Sequence, residues 1–581
     1  MRDANGLTAT VHYTLDIVNQ QPRTYDVIVV GSGASGGWVA KVLCENGAQV
    51  LMLEAGPPRI PERDFTEHLW PYRLRFRGFG DTKAFLEKQP VQRLCDACDE
   101  YTHHFFVDDT EHPYTSDPDK PFMWIRGRQV GGKSLLWGRV SYRYSDFEFQ
   151  AASHDGYGEN WPITYRDIEP YYDRIESYIG VSGSREGLPQ FPDGKFLPPM
   201  RLSCGEVYAR DIVARQFGWR LTPDRSANLT VPLNGRPACH YCEQCHRGCF
   251  TASYFNSPAV TLPDAARTGR FTLISDAVVS HLVMNDQGKA GGVVFLDRNT
   301  RAERQARGRV VVLAASALES TRILMNSRSP RFPQGVGGSS GVLGRYLMDH
   351  FTLESASGII PSLKSSRRQP VGRPMGFIIP KYTNADPRFS DKRFLRGYYL
   401  AGDSRQQLYE HAFAMRGFGR ELRERIRQEI PYMFTIYAQG EPLPRYDNHV
   451  ALDPVVKDAW GIPVLRFHAR YGENELAMAK GMREKLGEIV DALKLENRSP
   501  LPEGLSIFGK NIHEAGTARM GDDPKKSVVN RFNQVHEAPN VFVTDGACFV
   551  TQGCYEPTLT IMALSARAAD YIASEYLRKK I

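Results

Sequence analysis

Tyr25–Gly56 reads YDVIVVGSGASGGWVAKVLCENGAQVLMLEAG, and the order of residue types within it decides the fold. Tyr25 to Val30 is a short, β-branched apolar run, as a strand buried in a parallel sheet requires. Gly31, Gly33 and Gly36 follow in G-x-G-x-x-G spacing, with Ala34 and Ser35 between them, and the stretch through Leu43 has helical character. AQVLMLEAG then predicts a second strand ending at Glu54, eighteen residues after Gly36. Glycines there permit a tight turn and let the backbone approach a pyrophosphate at the helix N-terminus. A carboxylate at the strand end accepts hydrogen bonds from a ribose. Strand, helix, second strand and acid together predict a dinucleotide-binding unit, without choosing between a nicotinamide and a flavin.

At 581 residues the chain exceeds a single simple core, so two or more domains are expected. Hydrophobic residues make up 41% and charged residues 24%, the composition of an ordinary globular protein. The net charge of +7 is spread along the chain with no basic block, which argues against a nucleic-acid partner. No apolar stretch approaches the ~18 residues of a membrane helix. VVVLAASAL, the longest, reads as a buried strand, so no direct membrane span is expected. The opening MRDANGLTATVHYTLDIVNQ lacks the sections of a signal peptide, and the expectation from it is a cytoplasmic chain. Residues 60–120 read as loops and lids. WPITYRDIEPYYDRIESYIGV reads as a turn and amphipathic helix, and RGRVVVLAASALESTRILMNS as strand then helix. Residues 355–505 read as a second, strand-rich region, with PVLRFHARY followed by the helical ENELAMAKGMREKLGEIVDALKL. The tail returns to strand (NVFVTD) and helix (TLTIMALSARAADYIASEYL).

CHYCEQCHRGC, Cys239–Cys249, holds four of the ten cysteines. Cys239, Cys242, Cys245 and Cys249 stand in C-x2-C-x2-C-x3-C spacing, that of bacterial ferredoxin loops, although Phe250 replaces the proline that often follows. Zinc sites usually pair two separated hairpins, and close neighbours disfavour disulfides. An iron–sulfur cluster, [3Fe-4S] or [4Fe-4S], is the expectation, with Cys249 binding the same cluster or none; zinc, free thiols and disulfides remain as alternatives. Cys95 and Cys98 form a separate C-x-x-C, a redox pair, stray thiols or extra ligands, and Cys204 is unassigned.

Four separated stretches make the chain resemble the glucose-methanol-choline (GMC) family of FAD-dependent oxidoreductases over nearly its whole length. They are the fingerprint with Glu54; GRQVGGKSLLWGRVSYR, Gly127–Arg143; LAASALESTRILMNS with GVLGRYLMDH ending at His350; and HEAGTARMG through the C-terminal helix. The resemblance implies FAD as resident cofactor and an α/β fold, a Rossmann-like FAD-binding domain interleaved with an α+β substrate-binding domain. FAD-binding parts are expected at 25–155, 255–350 and 535–581. A cap region carrying the cysteine-rich insertion is expected at 156–254, and the substrate-binding domain at 351–534. It also implies that Arg128, Gly131, Gly132 and Ser134 lie against the flavin, the two glycines allowing close backbone approach and Ser134 donating a hydrogen bond to the ring. Asp545, Gly546, Pro557 and Thr558 complete the cofactor site. Leu136 stands where some relatives carry a histidine that attaches FAD covalently, so non-covalent FAD is expected.

His513 matches the family's base, and a neutral imidazole suits removal of a hydroxyl proton. Glu556 replaces the family's usual His or Asn before PTLT. As a carboxylate it could hold a substrate hydroxyl or share base duty with His513; protonated, it would donate. Gln552 is a further polar neighbour. The implied activity is a dehydrogenase oxidising a hydroxyl of a sugar, glycoside or sugar acid, near the glucoside 3-dehydrogenase and gluconate 2-dehydrogenase branches. Some bacterial relatives relay electrons from FAD through an iron–sulfur insertion. Such relatives travel with a small signal-bearing subunit and a cytochrome c, which would make the periplasm a second possible location. The rivals are a peroxide-producing oxidase and a lyase with non-redox FAD.

Overall fold

A computed structural model describes residues 23–69, 73–78, 80, 82–363, 372–406, 415–430 and 432–577. The N-terminal stretch read for a signal peptide lies outside them. Thr24–Val30 forms the predicted first strand, with Val27 to Val30 buried, and Val50–Leu53 lies parallel to it with Val27 opposite Val50 and Val30 opposite Leu53. Helix Ala34–Glu45 connects them. Two glycines make the connection possible. Gly31 has φ +98°, and a Cβ there would meet the Ala314 carbonyl oxygen at 2.4 Å. A Cβ on Gly36 would stand 2.0 Å from the Gly31 oxygen, so this helix turn rests directly on the loop.

The main sheet runs Phe271–Ile274, Val50–Leu53, Thr24–Val30, Glu303–Leu313, Ala290–Asp297, Ala277–Met284. Its first four strands are parallel and the last two antiparallel. Glu303–Leu313 explains the change of character. Its first half, ERQARG, alternates exposed and buried residues and pairs with the antiparallel Ala290–Asp297. Its second half, ending VVVL, is fully buried between Thr24–Val30 and the late strand Val541–Val543, both parallel to it. Helix Thr558–Ile572 packs on helix Ala34–Glu45 and on Tyr165–Ile179. The stretch assigned to a cap therefore supplies a wall helix to the dinucleotide unit.

Strands Thr222–Pro223, Phe377–Ile379, Tyr398–Gln406, Tyr432–Gly440 and Phe351–Ile359 make a second, antiparallel sheet in that order. Its period-two alternation serves two cores. Phe377, Ile379, Tyr398 and Leu400 pack beneath helix Glu473–Ala492, which presents Met478, Met482, Leu486 and Ile489 to them. Ile378, Tyr399 and Ala401 point the other way and join the core of the parallel sheet. At this junction the buried Lys381 pairs with Glu148 of the dinucleotide side and lies 3.9 Å from Glu441. The α/β unit and the strand-rich unit are thus packed face to face. Among the described residues no helix is long and apolar enough to cross a membrane.

Candidate active site

A cavity opens where the parallel strands end. Gly31, Gly33, Ala34, Ser35, Glu54, Arg128, Gly132, Ser134, Asp545, Gly546, Pro557 and Thr558, each expected at the cofactor, all line it. Gly36, Gly131 and Leu136 do not: Gly36 is consumed by packing, Gly131 donates its N–H to Ser32 Oγ at 2.8 Å, and Leu136 packs against the apolar cluster of Phe65, Phe105 and Leu135. The Ser134 hydroxyl, on the cavity wall, donates to the Gly131 carbonyl at 2.6 Å and accepts from Ser257 N at 3.1 Å.

Ser32 was not singled out by the sequence reading, yet it orients Glu54. Its N–H and Oγ donate to Glu54 Oε2 at 3.0 and 2.6 Å, and Gly56 N donates to Oε1 at 3.1 Å. Burial pushes the Glu54 carboxyl up, and these hydrogen bonds pull against it. Further along, Arg128 bonds Glu319 at 2.7 Å, and Arg322 joins Glu319 at 3.3 Å and Asp458 at 2.7 Å. Burial alone would raise the Glu319 carboxyl, but Arg128, Arg322 and Arg126 together hold it down to about 2. Arg128 Nη1 is buried without a partner in this wall, and a Cβ on Gly33 would meet nothing nearer than 3.9 Å. An orphaned guanidinium nitrogen, an open glycine lip and a strand-end carboxylate fit the phosphate and ribose of a dinucleotide.

His513 lines the same cavity. Its Nδ1 lies 2.9 Å from Nδ1 of His350, whose Nε2 lies 3.0 Å from the Gly553 carbonyl. Burial, then His350 and Lys133, hold the His513 imidazole well below its usual range. Burial lowers His350 to about 3. Asp349 fixes the backbone by accepting from His513 N at 2.8 Å and Asn511 N at 3.2 Å; burial pushes its carboxyl up to about 7. Gln552 donates to the His513 carbonyl at 2.5 Å and so holds its main chain, while its Oε1 is buried without a partner. Lys133 and Glu514, 2.8 Å apart, also line the cavity. Of these neighbours, Gln552 and the stretch GVLGRYLMDH ending at His350 stood out in the sequence, and the roles of Asp349 and His350 were not readable there.

Glu556 turns toward the second sheet. Oε1 accepts from Tyr399 at 2.6 Å and from Gln439 at 3.5 Å, while Oε2 has no partner. Among the described residues no hydrogen bond joins it to His513, so shared base duty finds no geometric support. Tyr142, edge-on to Tyr399, donates to Asp224, and burial raises Asp224 to about 6 and Glu556 to about 7. The linkage follows. Glu556 keeps its proton in the fold up to about 7 but loses it near 4.5 when unfolded, so its contribution to stability falls as pH rises through that window. Glu556→Gln escapes this loss. Relative to wild type it is expected to gain on the order of 3 kcal/mol between about pH 4 and pH 8. Denaturant melts of both proteins across that range check it, and parallel curves would refute it.

In the cysteine loop, Cys245 and Cys249 pack with Tyr254 in a small buried cluster. Burial raises the thiols of Cys239 to about 11 and Cys242 to about 12. All ten cysteines are unpaired, and among the described residues no three His, Cys, Asp or Glu side chains gather to hold one metal ion. Cys95 and Cys98 share a turn, Cys98 N bonding the Cys95 carbonyl at 2.9 Å, and burial raises both thiols, which is not the profile of a reactive redox pair. The loop is stapled to the cavity wall: Tyr254 donates to the Leu135 carbonyl at 2.5 Å and Trp137 Nε1 to the Phe255 carbonyl at 2.8 Å. Trp137 and Ser134 face the cavity from this same segment.

Two family models, both described as GMC oxidoreductase, match residues 25–352 and 444–565. The 2-methyl-1,2-propanediol dehydrogenase of Mycolicibacterium austroafricanum is 28% identical over 95% of this chain and 95% of that protein. The fructose dehydrogenase large subunit of Gluconobacter japonicus is 29% identical over 96% of this chain and 99% of that one. The crystal structure of pyridoxine 4-oxidase from Mesorbium loti shares the fold, with a TM-score of 0.62 at 16% identity, covering 95% of this chain and 99% of that chain.

Proposed function

The chain belongs to the GMC oxidoreductase family, and from that premise we propose that it is an FAD-dependent dehydrogenase oxidising a hydroxyl of a sugar, glycoside or sugar acid to a keto group. The carrying observation is His513, a half-buried neutral imidazole in the wall of a dinucleotide cavity with one nitrogen already engaged by His350. FAD, when bound, supplies the acceptor for the hydride. The chain supplies the rest. His513 takes the hydroxyl proton as the C–H bond breaks, and Asp349 and Gln552 hold its backbone in place.

The second part of the proposal is an iron–sulfur cluster held by Cys239, Cys242, Cys245 and Cys249, which would pass electrons one at a time to a cytochrome or quinone. Support comes from the C-x2-C-x2-C-x3-C spacing and from the staples that fix this loop to the segment bearing Ser134 and Trp137. Thiolates around a multi-iron cluster stand farther apart than ligands around one ion, so a loop that gathers no single-ion site is compatible with it. The likeness to a fructose dehydrogenase large subunit supports a sugar substrate and partner subunits. On this reading a small signal-bearing subunit and a cytochrome c accompany the chain to the periplasm.

Iron and acid-labile sulfide on anaerobically purified protein test the relay, with EPR before and after a reducing sugar. About three or four irons per flavin and a signal that responds to sugar are expected. Bound flavin without iron, even after reconstitution, would refute the relay. Rapid oxygen uptake with peroxide release would then make the protein an oxidase. A flavin that stays oxidised with every sugar tried, in the absence of oxygen, would refute the dehydrogenase itself.

A further inference from the structure

Two imidazoles facing one another through Nδ1 atoms pose a problem of proton placement. A neutral imidazole carries one N–H, and two bare nitrogens 2.9 Å apart would repel, as would two N–H groups. One ring must donate and the other accept. The geometry alone is symmetric; what breaks the symmetry is Gly553. Its carbonyl can only accept, and it stands 3.0 Å from His350 Nε2. His350 therefore carries its hydrogen on Nε2, its Nδ1 is bare, and His513 Nδ1 must be the donor. His513 Nε2 is then left bare.

The carbonyl is a fixed reference. Gly553 has φ +66°, and a Cβ there would meet Glu148 Cγ at 2.7 Å, so a side chain is excluded on two counts. Tyr144 anchors the same turn, its hydroxyl donating to the Gln552 carbonyl. On the other side, Tyr471 and Asn511 donate to the His350 carbonyl at 2.8 and 2.6 Å and fix that residue in turn. The rings meet at 83° with centroids 5.0 Å apart, so neither can rotate toward the other without losing the contact. The charged groups around the pair are already engaged: Asp349 with two backbone N–H groups, and Lys133 with Glu514. A His350 buried completely from solvent remains neutral, which keeps the order of donors intact.

We propose that His350 is a positioning residue which, through the Gly553 carbonyl, fixes His513 as the Nδ1–H tautomer and leaves Nε2 free to accept the substrate hydroxyl proton. In the step the substrate O–H bond breaks and an Nε2–H bond forms, giving an imidazolium. The Nδ1–H donated to His350 is present before and after, so no proton has to relocate within the pair. The same hydrogen bond strengthens as His513 becomes positive, which favours the transition state over the ground state.

This inference rests on the reading of His513 as the base. Two variants of His350 and one spectrum test it in the flavin-loaded full chain. His350→Asn keeps an acceptor at the Nδ1 position; His350→Leu removes it at similar volume. With Leu, the limiting rate of anaerobic flavin reduction is expected to fall about 100-fold or more, with substrate affinity little changed. With Asn it should stay within about tenfold of wild type. Equal losses in the two variants, or a Leu variant with the wild-type rate, would overturn the proposal. If the Leu variant fails to fold, 15N resonances of histidine-labelled wild type decide: His513 must show a protonated Nδ1 and a bare Nε2, and the reverse overturns it. The two readings fail differently. An active His513→Ala enzyme defeats the base assignment, whereas an inactive one beside a fully active His350→Leu defeats only the positioning role.

Discussion

His513→Ala is expected to lower the rate at which substrate reduces the flavin by about 100-fold or more, while the flavin stays bound. The cofactor should survive because the residues fitted to phosphate and ribose, Arg128 and Glu54, are held by Glu319 and Ser32 and not by the imidazole. The rate should collapse because no nearby group can replace the base: Glu514 is paired with Lys133, Asp349 is bonded to backbone, and Glu556 hydrogen-bonds toward the second sheet. The pH dependence carries a sign. Burial holds His513 below the usual imidazole range, so the base remains unprotonated as pH falls through about 6.5. The acid limb of kcat/KM should therefore lie below that value. Stopped-flow reduction without oxygen measures both quantities. Wild-type reduction rates in the Ala variant, or an acid limb well above pH 7, would remove His513 from the mechanism.

Gly31→Ala should yield a protein that cannot retain flavin. Residue 31 needs φ +98°, a conformation costing a non-glycine residue of order 1–3 kcal/mol, and the new methyl would also stand 2.4 Å from the Ala314 carbonyl oxygen. Relief requires the strand ends carrying Gly31 and Ala314 to part, and both residues line the cofactor cavity. Purified protein should show little or no flavin absorbance and a lowered melting temperature. A variant that binds flavin stoichiometrically would show that the loop tolerates a side chain after all.

Local features were the readable ones. Tyr25–Gly56 announced its strand, turn and helix because glycine spacing and β-branched runs act over a few residues. The second sheet was harder. Its alternation serves two buried faces, so Tyr399 and Leu400 are equally apolar neighbours with opposite destinations. The site divided in the same way. His513 could be found by its surrounding motif, but its partner His350 lies 163 residues away, and nothing in either segment signals an Nδ1 contact. For Ser134 the fold adds hydrogen bonds to the Gly131 carbonyl and from Ser257 N, since whether a hydroxyl reaches its own backbone depends on a turn that composition does not encode. For Glu556, only the fold reveals that Tyr399 reaches it from the second sheet. The cysteine spacing pointed to a cluster loop, while the staples joining that loop to the cavity wall appear only in three dimensions.

Glu303–Leu313 has a consequence for the order of events in synthesis. Its inner edge at Val311–Leu313 is filled by Val541–Val543, and Asp545, Gly546, Pro557 and Thr558 of the cavity wall come directly after that strand. A growing chain has its fingerprint loop long before Val541–Val543 is made, so the slot beside Val311–Leu313 stays open until that strand has left the ribosome. The cavity is therefore closed late. A nascent chain that lacks Val541–Val543 and the residues after it holds half a nucleotide site, and full-affinity flavin loading waits for that segment.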